Sequence, residues 1–135
     1  MVTIADGAGT INIATSDGEQ EVNFSFDVKT EEVLEHTGRG RMVVAQAAVA
    51  DVVPIGNIAN VSFIWLKAVR STDETVAANM EAVKLTTGAG VKALGPTHAM
   101  LLITNPRADE DISAISIDGH ADYDIVVEYT VAGRA

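Results

Sequence analysis

The chain contains no cysteine, and only 4% of its 135 residues are aromatic. The absence of cysteine excludes disulfide bonds, thiolate metal sites and a thiol nucleophile. Because hydrophobic residues still make up 47% of the chain, the core must consist mainly of valine, isoleucine, leucine and alanine side chains. Small aliphatic side chains of this kind suit two β-sheets that pack closely face to face.

Basic residues are also few, with 9 Lys and Arg against 19 Asp and Glu, for a net charge of −10. Nucleic-acid binding needs cations that neutralise phosphates, so no nucleic-acid partner is predicted. The longest apolar segment, Met42–Val53, is interrupted by Gln46 and Asp51, and no membrane span is predicted. No charged segment with an apolar run follows Met1, so a secretory signal is not expected. The length predicts a single domain over residues 1–135.

Hydrophobic alternation predicts strands along most of the chain. Glu21–Val28 alternates strictly between apolar and polar residues. Together with Thr10–Ala14 it predicts a hairpin around Asp17-Gly18 with one dry (buried) face and one wet (solvent-exposed) face. Asn60–Arg70 is apolar on both faces, which predicts a central strand with Trp65 in the core. About eight short strands separated by turn residues predict an all-β fold, namely a single antiparallel β-sandwich that is jelly-roll-like and contains little helix.

Several segments carry weaker local signals. Asp6–Gly9 predicts a turn, and Gly38–Arg41 predicts a basic surface loop. Thr30–His36 is compatible with a helical turn, a strand extension or an irregular segment. Met42–Val53 mixes alanine with valine, so strand and helix both remain open. Strand is favoured there because the neighbouring segments are strands.

Residues that carry chemistry are scattered. His36, His98 and His120 are isolated and lack the close spacing of metal ligands. The stretch Asp118–Asp124 has alternating oxygen ligands but not the spacing of a calcium loop, and a hairpin turn explains it better. Asp109–Asp111 lies in a predicted loop, where adjacent carboxylates are usually solvated. We therefore predict no enzymatic activity, no catalytic residue, no cofactor and no metal.

The order of elements in residues 54–133 resembles the small β-sandwich structural proteins of tailed bacteriophages. The resemblance lies in a bulky strand, a polar turn, a strand ending in glycine, a Leu-Gly-Pro turn, an apolar strand, an Ile-rich strand and a terminal strand. In this chain these are Val61–Val69, Ser71–Glu74, Val83–Gly90, Leu94–Pro96, Ala99–Ile103, Ile112–Ile117 and Ile125–Gly133.

The resemblance implies a non-enzymatic virion protein, foremost a capsid decoration or cement protein that stabilises the head lattice. Such a protein is made in the host cytoplasm and lies on the surface of the particle. Its partners would be the major capsid protein or other virion proteins, and it would be a homo-oligomer, with trimers a usual arrangement. A tail or baseplate component and a carbohydrate-binding sandwich are the alternatives. Candidate subunit-contact edges are Val2, Thr3, Ile4, Thr10, Ile11, Asn12, Arg39 and Arg41.

Overall fold

The computed structural model describes residues 2–30, 36–104 and 111–134. These residues form ten β-strands and no helix, and every strand pairing among them is antiparallel. The strands are β1 (Val2–Thr15), β2 (Gly18–Thr30), β3 (His36–Val44), β4 (Asp51–Val52), β5 (Asn60–Arg70), β6 (Ala82–Thr87), β7 (Gly90–Leu94), β8 (Ala99–Ile103), β9 (Ala114–Asp118) and β10 (Ile125–Arg134). The predicted all-β class is confirmed.

The chain divides into two compact units, Met1–Val33 and Leu34–Ala135. The first is the hairpin of β1 and β2, which pair from Val2↔Thr30 to Thr15↔Gly18. At the turn, the Thr15 hydroxyl accepts a hydrogen bond from the N–H of Asp17 (3.3 Å) and donates one to the Gly18 carbonyl (3.1 Å). Gly18 has φ +120°, a conformation that glycine adopts most readily. The predicted hairpin around Asp17-Gly18 is confirmed.

The predicted turn at Asp6–Gly9 was wrong, because β1 continues through it. Gly7 lies opposite Phe26 and Gly9 lies opposite Phe24. A Cβ atom on either glycine would lie 2.6 Å from the Cζ atom of the facing ring. Each phenylalanine ring therefore covers a glycine across the strand pair, an arrangement that supports a strand where glycine alone would weaken it.

The second unit is a jelly roll. In the described residues β3 pairs with β10, β4 with β9, β5 with β8 and β6 with β7. These nested pairs form one long hairpin, which the β5–β10 and β6–β9 pairings roll into two sheets. The sheet orders are β3-β10-β5-β8 and β4-β9-β6-β7. This architecture confirms the predicted jelly-roll-like sandwich of about eight strands, to which the hairpin adds two.

The core of this unit is aliphatic, as the composition predicted. Its fully buried side chains include Ile64, Leu66, Met80, Val83, Ile115, Ile117, Ile125, Val127 and Val131. Tyr129, with 7% exposure, is the aromatic member of the cluster. The prediction that Trp65 lies in the core was wrong. Alternate residues of a strand point to opposite faces, and Ile64 and Leu66 occupy the core face, so Trp65 points outward and is partly exposed.

The segment Met42–Val53 is strand at both ends and a loop between them. β3 ends at Val44, and β4 begins at Asp51, so the helical alternative was wrong. Ala47 and Ala50, in the loop of residues 45–50, have φ of 58° and 52°, which no helix or strand accommodates. The predicted loop at Gly38–Arg41 was also wrong, since these residues belong to β3. Of the ambiguous segment Thr30–His36, residues 31–35 lie outside the described residues.

Candidate interaction surfaces

One face of the hairpin is apolar and exposed. It consists of the cross-strand pairs Gly7–Phe26, Gly9–Phe24, Ile11–Val22 and Ile13–Gln20, and we call it the hairpin apolar face. The exposed fraction is 53% for Ile11, 43% for Ile13 and Val22, and 37% for Phe24. The face predicted to be dry is apolar in composition but exposed to solvent, so this part of the prediction was wrong. A contiguous exposed apolar surface of this kind is typical of an interaction site.

The opposite face of the hairpin is polar. Its pairs are Ala8–Ser25, Thr10–Asn23, Asn12–Glu21 and Ala14–Glu19. The Thr10 hydroxyl donates a hydrogen bond of 2.8 Å to Asn23 Oδ1. The Glu19 and Glu21 carboxylates are exposed and keep this face hydrated. The hairpin is thus an amphipathic ribbon with all of its described strand carboxylates on one side.

All eight predicted subunit-contact residues lie on edge strands. Six of them (Val2, Thr3, Ile4, Thr10, Ile11 and Asn12) lie on β1, whereas Arg39 and Arg41 lie on β3, at the edge of one jelly-roll sheet. Edge strands present unpaired backbone N–H and C=O groups to other chains. Subunit contact through these residues stays a prediction.

The outer face of the sheet β3-β10-β5-β8 carries a second apolar patch and a row of charges. Trp65 pairs with Leu101 across the strands, and Leu101 is 46% exposed. In the adjacent row, Glu128 lies between Arg41 and Lys67. The row therefore contains charges of both signs.

Two open concavities lie in this unit, and the first is formed by the charged row itself. A groove of about 290 Å³ is lined by Arg41, Lys67, Val69, Glu74, Val126 and Glu128. Within it, Arg41 is ion-paired with Glu74. A wider concavity of about 450 Å³ is lined by Thr37, Gly38, Arg39, Pro54, Ile55, Gly56, Asn57 and Tyr129. Its lining contains no carboxylate and no histidine to act with Arg39 as an acid–base pair.

His98 and His120 have separate structural partners. His98 Nδ1 lies 2.9 Å from the Ala78 carbonyl oxygen, and since a carbonyl only accepts, this nitrogen carries the hydrogen. His120 Nδ1 accepts a hydrogen bond of 3.0 Å from the N–H of Asp122, and its ring stacks on Tyr123 at a centroid distance of 3.8 Å. Among the described residues, no three His, Asp or Glu side chains lie close enough together to hold a metal ion.

The segment Asp118–Asp124 is hydrogen-bonded to the loop of residues 45–50. It joins β9 to β10, which belong to different sheets, so the predicted hairpin turn was wrong. Asp118 Oδ1 accepts a hydrogen bond of 2.7 Å from the N–H of Ala50, and Asp124 Oδ1 accepts one of 2.7 Å from the N–H of Gln46. The bond from Ala50, together with Lys84 at 3.0 Å, lowers the pKa of Asp118. These carboxylates hold the loop of residues 45–50 in place. Of the predicted acidic cluster, Asp109 and Glu110 lie outside the described residues.

Comparison with known proteins identifies no relative. No protein-family model matches the chain, and no curated protein or solved structure is significantly similar to it. The described ranges contain no helix long and apolar enough to cross a bilayer. Function is therefore inferred from the surfaces described above.

The sequence reasoning named strand edges as contacts and missed the exposed face beside them. Ile13, Val22 and Phe24 were absent from the predicted contact set, although Phe24 and Val22 belong to the alternating pattern that revealed the hairpin. The signal was the alternation itself, which marks a face as apolar. It does not tell whether another part of the chain covers that face.

Proposed function

We propose that the protein is a non-enzymatic structural component of a virus particle, and specifically a decoration or cement protein on the head of a tailed bacteriophage. The observation that carries the proposal is the hairpin apolar face, which leaves Ile11, Val22 and Phe24 exposed. In a free monomer such a face favours aggregation. In an assembly the same face is buried against a neighbour.

The architecture of the second unit also supports this proposal. Two sheets packed through an aliphatic core form a rigid unit, and viral capsid domains use this architecture, as do lectins. Because one fold serves many functions, the fold supports a virion role only together with the exposed hairpin. The β3 edge with Arg39 and Arg41 offers a second contact for a neighbouring subunit.

Decoration of a lattice also suits the acidic surface. A net charge of −10 favours the solubility of free copies in the host cytoplasm and limits their aggregation. On a particle, many weak contacts act together, so each contact needs only modest affinity. The proposed partners are the major capsid protein or other virion proteins. A tail or baseplate position within the particle would use the same surfaces.

Co-sedimentation tests this proposal directly. Lysates that contain assembled particles are separated on a density gradient, and the chain is detected by mass spectrometry or with an antibody. We expect it in the particle fractions, at a fixed ratio to the major capsid protein. Recovery only in the low-mass fractions, while the capsid protein sediments as particles, would refute a virion role. Undecorated capsids mixed with purified protein should bind it to saturation.

A carbohydrate-binding module is the second candidate, favoured by one observation. Trp65 lies on the outer face of a sheet and is partly exposed, beside Leu101. Sugar rings pack on aromatic side chains that are accessible in this way. Glycan-array binding by the wild type that Trp65→Ala abolishes would support this function. The control is Leu94→Ala, which removes a side chain of 49% exposure from the other sheet.

A further inference from the structure

We propose that the hairpin apolar face packs against the same face of a second copy of this chain. The contact is face to face, and it is distinct from the strand-edge contacts predicted from the sequence. It concerns copies of this chain alone, so it holds or fails independently of the phage assignment.

The chemistry of the face determines what can cover it. Gln20 is its only polar side chain, and none of its eight residues is charged. A carboxylate or an ammonium group buried against this surface would lose its hydration without gaining a partner. The covering surface must therefore be apolar and uncharged, and a second copy supplies such a surface by symmetry.

The acidic residues favour face-to-face packing over pairing through strand edges. Asp6, Glu19 and Glu21 all belong to the polar face. In a face-to-face pair the two polar faces point outward, on opposite sides of two sheets that are about 10 Å apart. The carboxylates of the two copies then remain hydrated and are separated by more than a Debye length of about 8 Å. Edge pairing would instead place the two polar faces side by side, with strands about 4.8 Å apart, and like charges at such positions are destabilising.

The two halves of the face complement each other. One half contains the glycines covered by the rings of Phe24 and Phe26, whereas the other contains the aliphatic side chains of Ile11, Ile13 and Val22. A two-fold axis that lies between the two faces and runs perpendicular to the strands places the aromatic half of one copy on the aliphatic half of the other. Contacts between aromatic and β-branched side chains are favourable in sheets.

The size of the face sets the strength of the contact. The face extends over seven residues of β1, from Gly7 to Ile13, or about 23 Å, and two strands are about 10 Å wide, so each copy buries about 230 Å². The total of about 460 Å² is well below the roughly 1,200–2,000 Å² of a stable interface. We therefore expect weak, reversible association in solution, which becomes strong only where copies are held close together.

Sedimentation velocity over about 1–500 μM protein measures this association. The mass-average mass of the wild type should rise with concentration. Val22→Glu places a carboxylate in the contact on each copy and should weaken association at least about a hundredfold. Ser25→Glu adds the same charge on the polar face and should leave association within about threefold of the wild type.

A third variant separates loss of the contact from loss of the hairpin. Val22→Thr keeps a β-branched strand former, and amide hydrogen exchange in β1 and β2 reports whether the hairpin persists. With the hairpin intact, the buried hydroxyl should weaken association about tenfold. A wild type that stays monomeric throughout, or equal effects of Val22→Glu and Ser25→Glu with the hairpin intact, would overturn the proposal.

Discussion

Removal of the Asp118 carboxylate should loosen the loop of residues 45–50 and destabilise the jelly roll. Asp118 Oδ1 accepts a hydrogen bond of 2.7 Å from the N–H of Ala50, and Asp118 Oδ2 forms an ion pair with Lys84 Nζ at 3.0 Å. A hydrogen bond to a charged group contributes about 1.5–3 kcal/mol, and a partly exposed ion pair at most about 1 kcal/mol. Because Ala50 is exposed, water replaces the lost acceptor. We expect Asp118→Ala to lower the free energy of unfolding by about 2 kcal/mol.

Urea unfolding followed by Trp65 fluorescence measures this loss. Trp65 is the only tryptophan and lies in the jelly-roll unit, so its signal follows that unit rather than the hairpin. The unfolding midpoint should fall by about 1 M urea, given a typical dependence on denaturant. The control is Asp122→Ala, which removes an exposed carboxylate from the same connection and should change stability by less than about 0.5 kcal/mol. Equal effects of the two substitutions would refute the role assigned to Asp118.

The pH dependence supplies an independent check. The hydrogen bond from Ala50 and the proximity of Lys84 lower the pKa of Asp118 below its ordinary value of 3.8. A carboxylate whose pKa is lowered by folding stabilises the folded state above its unfolded pKa, and this contribution is lost as the pH falls through the folded pKa. The difference in free energy of unfolding between the wild type and Asp118→Ala should therefore have its full value at neutral pH. It should shrink below about pH 4.

Three further predictions concern the backbone conformation at Gly119 and Ala47 and the solvent exposure of Trp65. Gly119→Ala should destabilise the jelly roll by at least about 2 kcal/mol in urea unfolding, because its Cβ would lie 2.2 Å from the Ala45 carbonyl oxygen. Gly38→Ala is its control, since the nearest atom would be 3.6 Å away, and should be nearly neutral. Ala47→Gly should stabilise by up to about 1 kcal/mol in the same assay, because its φ of 58° is unfavourable for alanine; a loss of stability would contradict this. Acrylamide should quench Trp65 partially, whereas a fully shielded tryptophan would contradict its outward position.

Period-two alternation predicted much of this fold because it depends only on which side chains prefer water. Glu21–Val28 revealed the hairpin, and the spacing of strands and turns predicted a jelly-roll-like sandwich. Alternation failed at Asn60–Arg70, where both faces are apolar. The pattern there could not decide which face meets the second sheet, so the side of Trp65 was assigned wrongly.

Local signals failed where a residue distant in sequence determined the conformation. The glycines Gly7 and Gly9 predict a turn when the local sequence is considered alone. In the structure they belong to a strand, where Phe26 and Phe24 lie opposite them. Gly40 looks like part of a loop, yet a Cβ there would lie 2.7 Å from the Tyr129 hydroxyl oxygen. In each case an aromatic ring on the paired strand compensates for a missing side chain. Propensity computed along the chain cannot include such a partner.

The candidate site was the hardest part to predict, and the reason is physical. Alternation marks a surface as apolar, but burial depends on what the surface finally contacts. In the jelly roll, the apolar faces of the two sheets cover each other, so Ile64 and Ile117 are fully buried. In the hairpin, Ile11 and Val22 belong to an equally apolar face and remain exposed. The same sequence pattern thus gives a buried core in one unit and an exposed apolar face in the other. The proposed association therefore rests on the exposure of this face, which the alternating pattern alone could not have predicted.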